Sequence, residues 1–273
     1  MFALEIKNLS YSYPDRTPAL EDINLKIKAG KKTAILGANG SGKTTLVYHI
    51  NGIIPALEGG VTVLGLPVCK ENLQLVRQAV GLLFDSPDNQ LFSTTVSGDI
   101  AFGPRNLKLD PVVIDQKVHD AMQKVTIEDL ADRPPYCLSL GQKKRAAIAG
   151  LLAMEPRILA CDEPFSGLDP IVAGQFREIL DELIEKGSTL LYSTHDVNLA
   201  YAWADEVVLM KEGRVLSCGS YDLLRDENLL QHASLPLPML AQLFKHSKEQ
   251  PRTMEEAAVL LEPQPQVSQA KNF

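Results

Sequence analysis

"KKTAILGANGSGKTTLVYHING" occupies residues 31–52, and its reading decides the fold. "KKTAILG" is a short apolar run that closes on a glycine, the pattern of a buried parallel strand. "GANGSGKT", Gly37 to Thr44, follows the phosphate-binding pattern GxxxxGK[ST]. "GKTTLVYHING" then reads as a helix stopped by Asn51 and Gly52. A strand before and a helix after are the context this motif needs. Its glycines, Gly37, Gly40 and Gly42, let the backbone curl around Ala38, Asn39 and Ser41, so that successive N–H groups face phosphate oxygens. The following helix offers the same anion its positive end. Lys43 places a point charge at the β- and γ-phosphates, and the Thr44 hydroxyl is suited to Mg²⁺, with Thr45 next in the binding stretch.

The chain has 273 residues, enough for one large domain or two small ones. With 45% hydrophobic and 22% charged residues, it has the composition of a globular core rather than of a disordered chain. A net charge of −7 argues against a general nucleic-acid binder. Cys69, Cys137, Cys161 and Cys218 form no CxxC pair, so reduced cysteines are expected, not a zinc or redox motif. The opening residues lack the charged-then-apolar order of a signal peptide. "AAIAGLLAM", residues 146–154, is the longest weakly polar stretch and falls short of the ~20 residues of a membrane span. A membrane role therefore needs another polypeptide.

Outward from the opening motif, "ALEIKNLSYSYP" and "INLKIKAG" alternate as half-buried strands do, and "VTVLG" and "VGLLF" read as further strands. Residues of about 86–155 change character. A polar turn leads to a helical stretch from Pro111 to Val125, and a second helix is announced by "SLGQKKRAAIAGLLAM". Ser139 and Gln142 there fit a capping box. Parallel α/β patterning then resumes with "RILACDEP", a helix over "IVAGQFREILDELIEKG", "STLLYSTHD", and a short helix to Trp203. "DEVVLMKEGRVLSCG" reads as a hairpin turning at Lys211 to Arg214. From about residue 234 the pattern weakens, and "LEPQPQVSQAKNF" reads as a frayed tail. There is no internal repeat.

"RILACDEP" reads as an apolar strand ending in adjacent carboxylates, whose side chains point to opposite faces of the strand and so suit two roles. Beside a phosphate-binding loop, Asp162 suits Mg²⁺ and Glu163 suits polarising an attacking water. The ordered set of P-loop, "LSLGQ", "DEP", "SGLD" and a histidine after a strand resembles the ATP-binding subunits of ABC transporters, over about residues 3–230. That resemblance implies a P-loop NTPase (RecA-like) α/β core with an N-terminal antiparallel β subdomain and an inserted helical subdomain. It divides the chain into an ATP-binding domain, 3–233, with core 3–85 and 156–233 and helical insertion 86–155, and a C-terminal extension, 234–273. ATP and Mg²⁺ are the implied ligands. Tyr13 is similar to the aromatic that stacks on adenine, with Tyr11 the competing position. Leu138, Ser139, Leu140, Gly141 and Gln142 resemble the signature motif, usually LSGGQ, that meets the γ-phosphate held by a second ATP-binding subunit. Leu140 departs from the usual glycine. Ser166, Gly167, Leu168 and Asp169 resemble the D-loop, and His195 the switch histidine.

"LLFDSPDNQLFSTTVSGDIAFGPRNL", residues 82–107, is similar to a run in energy-coupling-factor (ECF) importers. The lysine pair of "LSLGQKKR" is most like their cobalt and nickel subunits, the vitamin importers being the alternative. The resemblance implies transmembrane ECF partners, a second ATP-binding subunit with a second copy favoured over a different chain, and a peripheral place on the cytoplasmic face of the cell membrane. "SLPLPMLAQLF", residues 234–244, would then support dimerisation or pack on its own domain. Where the family has the Q-loop glutamine, this chain has Asp85, shorter by a methylene and anionic. It keeps an oxygen for Mg²⁺ but cannot donate a hydrogen bond when ionised. Gln90 is a separate glutamine. A soluble ABC-type ATPase acting on DNA or ribosomes, and a nucleotide-binding regulator, are weaker readings. The chain has one cassette without long insertions, and Lys43, Asp162, Glu163 and His195 are all present.

Overall fold

The computed structural model describes residues 1–261. Strands β1 (Phe2–Ser12) and β2 (Pro18–Lys28) pair antiparallel, and β4 (Glu58–Val63) and β5 (Leu66–Pro67) extend that sheet in the order β2-β1-β4-β5. Between them in sequence lie β3 (Lys32–Leu36) and α1 (Lys43–Ile50), the strand and helix around the P-loop. The chain continues through α2 (Leu73–Ala79) into β6 (Val80–Leu83), then into α3 (Val96–Asn106), α4 (Pro111–Lys124) and α5 (Leu140–Met154). Next come β7 (Ile158–Cys161), α6 (Pro170–Glu185), β8 (Thr189–Thr194), α7 (Val197–Trp203) and the hairpin of β9 (Glu206–Lys211) and β10 (Arg214–Ser220). Helices α8 (Glu227–His232), α9 (Met239–Leu243) and α10 (Met254–Leu261) end the described chain.

The second sheet runs β10-β9-β3-β8-β7-β6, parallel except for the β9–β10 pair. Its central strands are apolar throughout because both faces are covered. On one face Ile35, Ile158, Leu191 and Val208 meet Leu4, Ile6 and Ile23 of the antiparallel sheet, with Leu46, Val47 and Ile50 of α1 packed between. On the other, Leu36, Leu159, Leu190 and Leu209 belong to the core that includes Phe176 and Leu180 of α6.

Helix α3 runs through "GDIAFGPRNL", which the sequence pattern did not mark as helical, and contains Pro104. The Thr95 hydroxyl caps its start by accepting from Gly98 N. Helix α10 also lies in the stretch where patterning weakens. The expected frayed tail falls outside the described residues from position 262 onward. In "SLPLPMLAQLF", Leu235, Ala241 and Phe244 are buried on their own chain, whereas Met239 and Leu243 are exposed.

His49 is buried on α1, with Nδ1 2.8 Å from the Thr45 carbonyl and its ring edge against Tyr11. Burial pushes its pKa below the ordinary value, the Thr45 contact opposing this in part. The unfolded chain takes up a proton near an ordinary value of about 6.5, while the fold keeps the ring neutral to lower pH. Stability is therefore retained above that value and falls as pH drops below it. Melting temperatures measured from pH 7.5 to 5, as rough bounds, should decline less steeply in His49→Leu than in the unaltered chain.

Candidate functional site

The parallel order brings the carboxyl ends of β3, β8, β7 and β6 side by side, the edge where open α/β sheets place ligands. From β3 comes the P-loop. Gly42 has φ 98°, and a Cβ there would stand 2.6 Å from the Ala19 carbonyl. A Cβ on Gly37 would lie 2.5 Å from the Met210 carbonyl. These positions need glycine for conformation or for space. Gly42 caps α1 without a side chain, leaving the first N–H groups of the helix for an anion. Lys43 is buried and reaches back to donate to the carbonyls of Gly37, at 2.8 Å, and Ala38, at 3.1 Å. Burial pulls its pKa down, and Glu163 and Asp162 counter that.

From β7 come the two carboxylates. The strand ends at Cys161, one residue before them, so strand alternation does not separate them as expected. Glu163 instead adopts φ 43°, a left-handed conformation that turns the chain out of the sheet. Asp162 is buried and accepts from the Ser193 hydroxyl at 2.5 Å, and the same hydroxyl accepts from Glu163 N at 2.9 Å. Ser193 lies near the end of β8, so one hydroxyl ties the Asp162 carboxylate to the Glu163 main chain. Two residues on, His195 Nδ1 stands 3.1 Å from Glu163 Oε1.

From β6 comes Asp85. It lines a cleft of about 550 Å³ together with Tyr13, Asn39, Gly40, Gly42, Lys43, Thr44, Thr45, Asp162 and Glu163. Tyr13 is half exposed at this cleft and its hydroxyl is 2.8 Å from Thr45 Oγ1, whereas the Tyr11 ring packs inward on His49. Gln90 stays out of the cleft. Its side-chain oxygen accepts from Phe84 N at 3.3 Å, and its amide donates to the Ala147 carbonyl at 3.0 Å, tying the end of β6 to α5. Beside it runs an apolar groove of about 490 Å³, lined by Phe84, Phe102, Leu107, Leu151 and Met154.

Helix α5 opens with the capping box expected at Ser139. The Ser139 hydroxyl accepts from Gln142 N, and the Gln142 side chain accepts from Ser139 N. Leu138 is buried, and Ser139, Leu140 and Gly141 stand outside the cleft's lining. The Leu140 side chain lies against Gly167, since a Cβ built there would sit 3.1 Å from its Cδ2. Ser166 N donates to the Glu163 carbonyl, Leu168 packs on the core, and Asp169 caps α6 by accepting from Ile171 N and Val172 N.

The profile of the ABC transporter family matches residues 20–166. An energy-coupling factor transporter ATP-binding protein of Carboxydothermus hydrogenoformans is 44% identical, over 95% of this chain and 97% of its own length. The chain belongs to the ABC transporter family. Within it, the chain groups with the ATP-binding proteins of energy-coupling factor transporters. The structure of cbiO1 from Clostridium perfringens, described as part of the ABC transporter complex cbiONQ, superimposes with a TM-score of 0.72 at 40% identity, over 89% of this chain and 99% of that one. An ATP-binding cassette solved as a dimer after hydrolysis, with ADP and Pi, superimposes with a TM-score of 0.74 at 26% identity, over 80% of this chain and 98% of that one. The fold is therefore that of an ABC-type ATPase, with a P-loop NTPase core.

Ser193 escaped the sequence reading of this ABC ATPase. "YST" on a strand offers no local sign that its serine will meet a carboxylate over thirty residues away. A hydrogen bond to a charged group is worth about 1.5–3 kcal/mol. Ser193→Ala should therefore lower the ATPase kcat about tenfold or more, with bound-nucleotide affinity changed far less. Steady-state ATPase kinetics and nucleotide titration separate the two effects.

Proposed function

We propose that this chain hydrolyses ATP to energise an ECF-type importer of cobalt or nickel ions, working as a head-to-tail pair docked on transmembrane partners at the cytoplasmic face of the membrane. The observation that carries the reading is the convergence of four loops on one cleft, with Glu163 held between Ser193 and His195. The cleft has a phosphate loop, a buried lysine and a carboxylate facing the same space. Water attacks the γ-phosphorus, its proton is taken by Glu163, and the bond to the ADP oxygen breaks. Lys43 offsets charge at the β- and γ-phosphates. His195 orients the Glu163 carboxylate and contacts the γ-phosphate. The Tyr13 ring stacks on the base.

Among the described residues there is no cluster of three or more metal-ligating side chains. Mg²⁺ does not need one, because it takes one or two protein oxygens and fills its remaining positions from phosphates and water. The Thr44 hydroxyl and the Asp162 carboxylate are hard oxygen donors at the same cleft, and Asp85 adds a third. The donor set fits. Thr44, Asp162 and Asp85 would hold Mg²⁺ at the cleft, where it would supply neutralisation of the phosphate charge.

Pairing is supported by the absence of Ser139, Leu140 and Gly141 from this cleft's lining and by the dimeric form of the solved ATP-binding cassette. Among the described residues no helix is long and apolar enough to cross a membrane, so import requires partners that do. The apolar groove beside Gln90 is the surface we assign to them, because it joins the helices of the insertion to the loop that carries Asp85. The metal-ion cargo rests on the resemblance carried by the Lys143–Lys144 pair.

Glu163→Gln should lower kcat by about 10²–10⁴-fold and accumulate an ATP-bound dimer visible by size exclusion. Unaltered turnover would remove Glu163 as the base. Asp85→Gln should change the ATP consumed per ion imported by the reconstituted complex, and identical values for both chains would show that Asp85 takes no part in coupling. Vesicles carrying the whole complex should accumulate radioactive cobalt or nickel on ATP addition. Uptake of a vitamin instead would redirect the cargo.

A further inference from the structure

Helix α5 carries one charged side chain into the interior. Lys144 is 4% exposed, whereas its neighbour Lys143 pairs with Asp88 at the surface. A lysine is rarely this buried without an anion against it. The Lys144 ammonium donates instead to two main-chain oxygens, the Glu163 carbonyl at 3.3 Å and the Ser166 carbonyl. Burial draws its pKa down, and the charges of Asp85, Glu163 and Asp162 partly restore it. The arrangement costs desolvation, and neutral residues of similar length would fill the space without that cost.

The two carbonyls bracket one turn. Glu163 enters it with φ 43°, and Ser166 N closes it on the Glu163 carbonyl at 3.1 Å. The direction of the Glu163 carboxylate is set by that turn. One helical turn before Lys144, on the same face of α5, Leu140 leans on Gly167. The first turns of α5 thus hold residues 163–167 at both ends, one contact polar and one apolar. Helix α5 packs chiefly with α3 and α4 and also meets β6, the strand that leads to Asp85.

We infer that Lys144 is a positioning residue for hydrolysis, clamping the Glu163–Ser166 turn to α5 so that the placement of the helical insertion sets where the Glu163 carboxylate points. The inference rests on the reading of Glu163 as the base. It gives the lysine pair a mechanical consequence at the phosphate, distinct from any bearing on cargo.

The test uses the complete reconstituted transporter, with Lys144→Gln, Lys144→Met, Lys144→Arg and Glu163→Gln assayed for kcat, for KM and for ATP binding. A misplaced reacting group costs on the order of 10²-fold. Lys144→Gln and Lys144→Met should lose about that factor in kcat with KM nearly unchanged, and Lys144→Arg, which keeps charge and donors, should recover much of the rate. Hydrogen exchange at the Ser166 and Leu168 amides should quicken in Lys144→Gln while the β3 and β8 amides stay protected. Wild-type kcat in Lys144→Gln, an equal loss in Lys144→Arg and Lys144→Met, or a KM that rises in step with the lost rate overturns the inference. So does a Lys144→Gln chain that fails to fold, which would assign the lysine to stability. If Glu163→Gln is inactive while Lys144→Gln is active, only the clamp is lost. If Glu163→Gln turns over normally, the base assignment itself falls.

Discussion

The parallel pairing of β3 with β8 is the constraint on which the site depends. Leu36 lies opposite Thr194, so the P-loop and the segment carrying His195 leave the sheet at the same level. Strand β7 pairs on the far side of β8 with Cys161 opposite Tyr192, which brings Asp162 beside Ser193. A slip of one residue in any of these ladders would turn every side chain to the opposite face. It would move Ile35 or Leu191 from the core it fits into the core on the other face and carry Ser193 away from Asp162. Burial on both faces makes such a slip costly, so the cores that stabilise the sheet also set the register of the side chains at the cleft.

That coupling explains the uneven character of the cleft. Its floor is buried and closely packed: Asp162 and Lys43 are buried, and Gly42 and Gly37 sit against the carbonyls of Ala19 and Met210. Its rim is exposed: Asp85, Thr44 and His195 face solvent. Charged groups buried at the floor act on an arriving phosphate more strongly than they would in water. Groups on the rim remain free to respond to a partner. Gln90 and Lys144 connect these zones to α5, one from the end of β6 and one from the turn after β7.

Much of this was legible in the chain. The P-loop reads locally because its function is local: glycines, a lysine and a hydroxyl within one turn and one helix start. The strands read because buried parallel strands are uniformly apolar, and Ser139 with Gln142 announced a cap that the structure contains. What did not read depends on contacts across the fold. Ser193 looks like any strand serine until β7 is placed beside it. Lys144 looks like a surface lysine on a basic helix until the turn at Glu163 covers it. Glu163 was expected to extend a strand, and its left-handed backbone follows from the turn that Ser166 closes, not from its neighbours in sequence. Pro104 conceals α3 because proline argues locally against a helix, yet near the last turn it forfeits a single backbone bond.

The same distinction bears on Asp85. Read in sequence, it is a substitution of one polar residue for another at a family position. In the structure it makes a third carboxylate on a cleft whose other acids are Asp162 and Glu163, with Lys43 as the lining cation. A nucleoside triphosphate brings further negative charge to that space. Like charges in a partly desolvated cleft repel more strongly than in water, so an anion at position 85 raises the demand for a divalent cation beyond what a neutral glutamine would set. The Lys144 ammonium does not meet that demand, because it is engaged by the Glu163 and Ser166 carbonyls. The acid at position 85 therefore has Lys43 as the one cation lining its cleft among the described residues, and any further neutralisation has to arrive with the nucleotide.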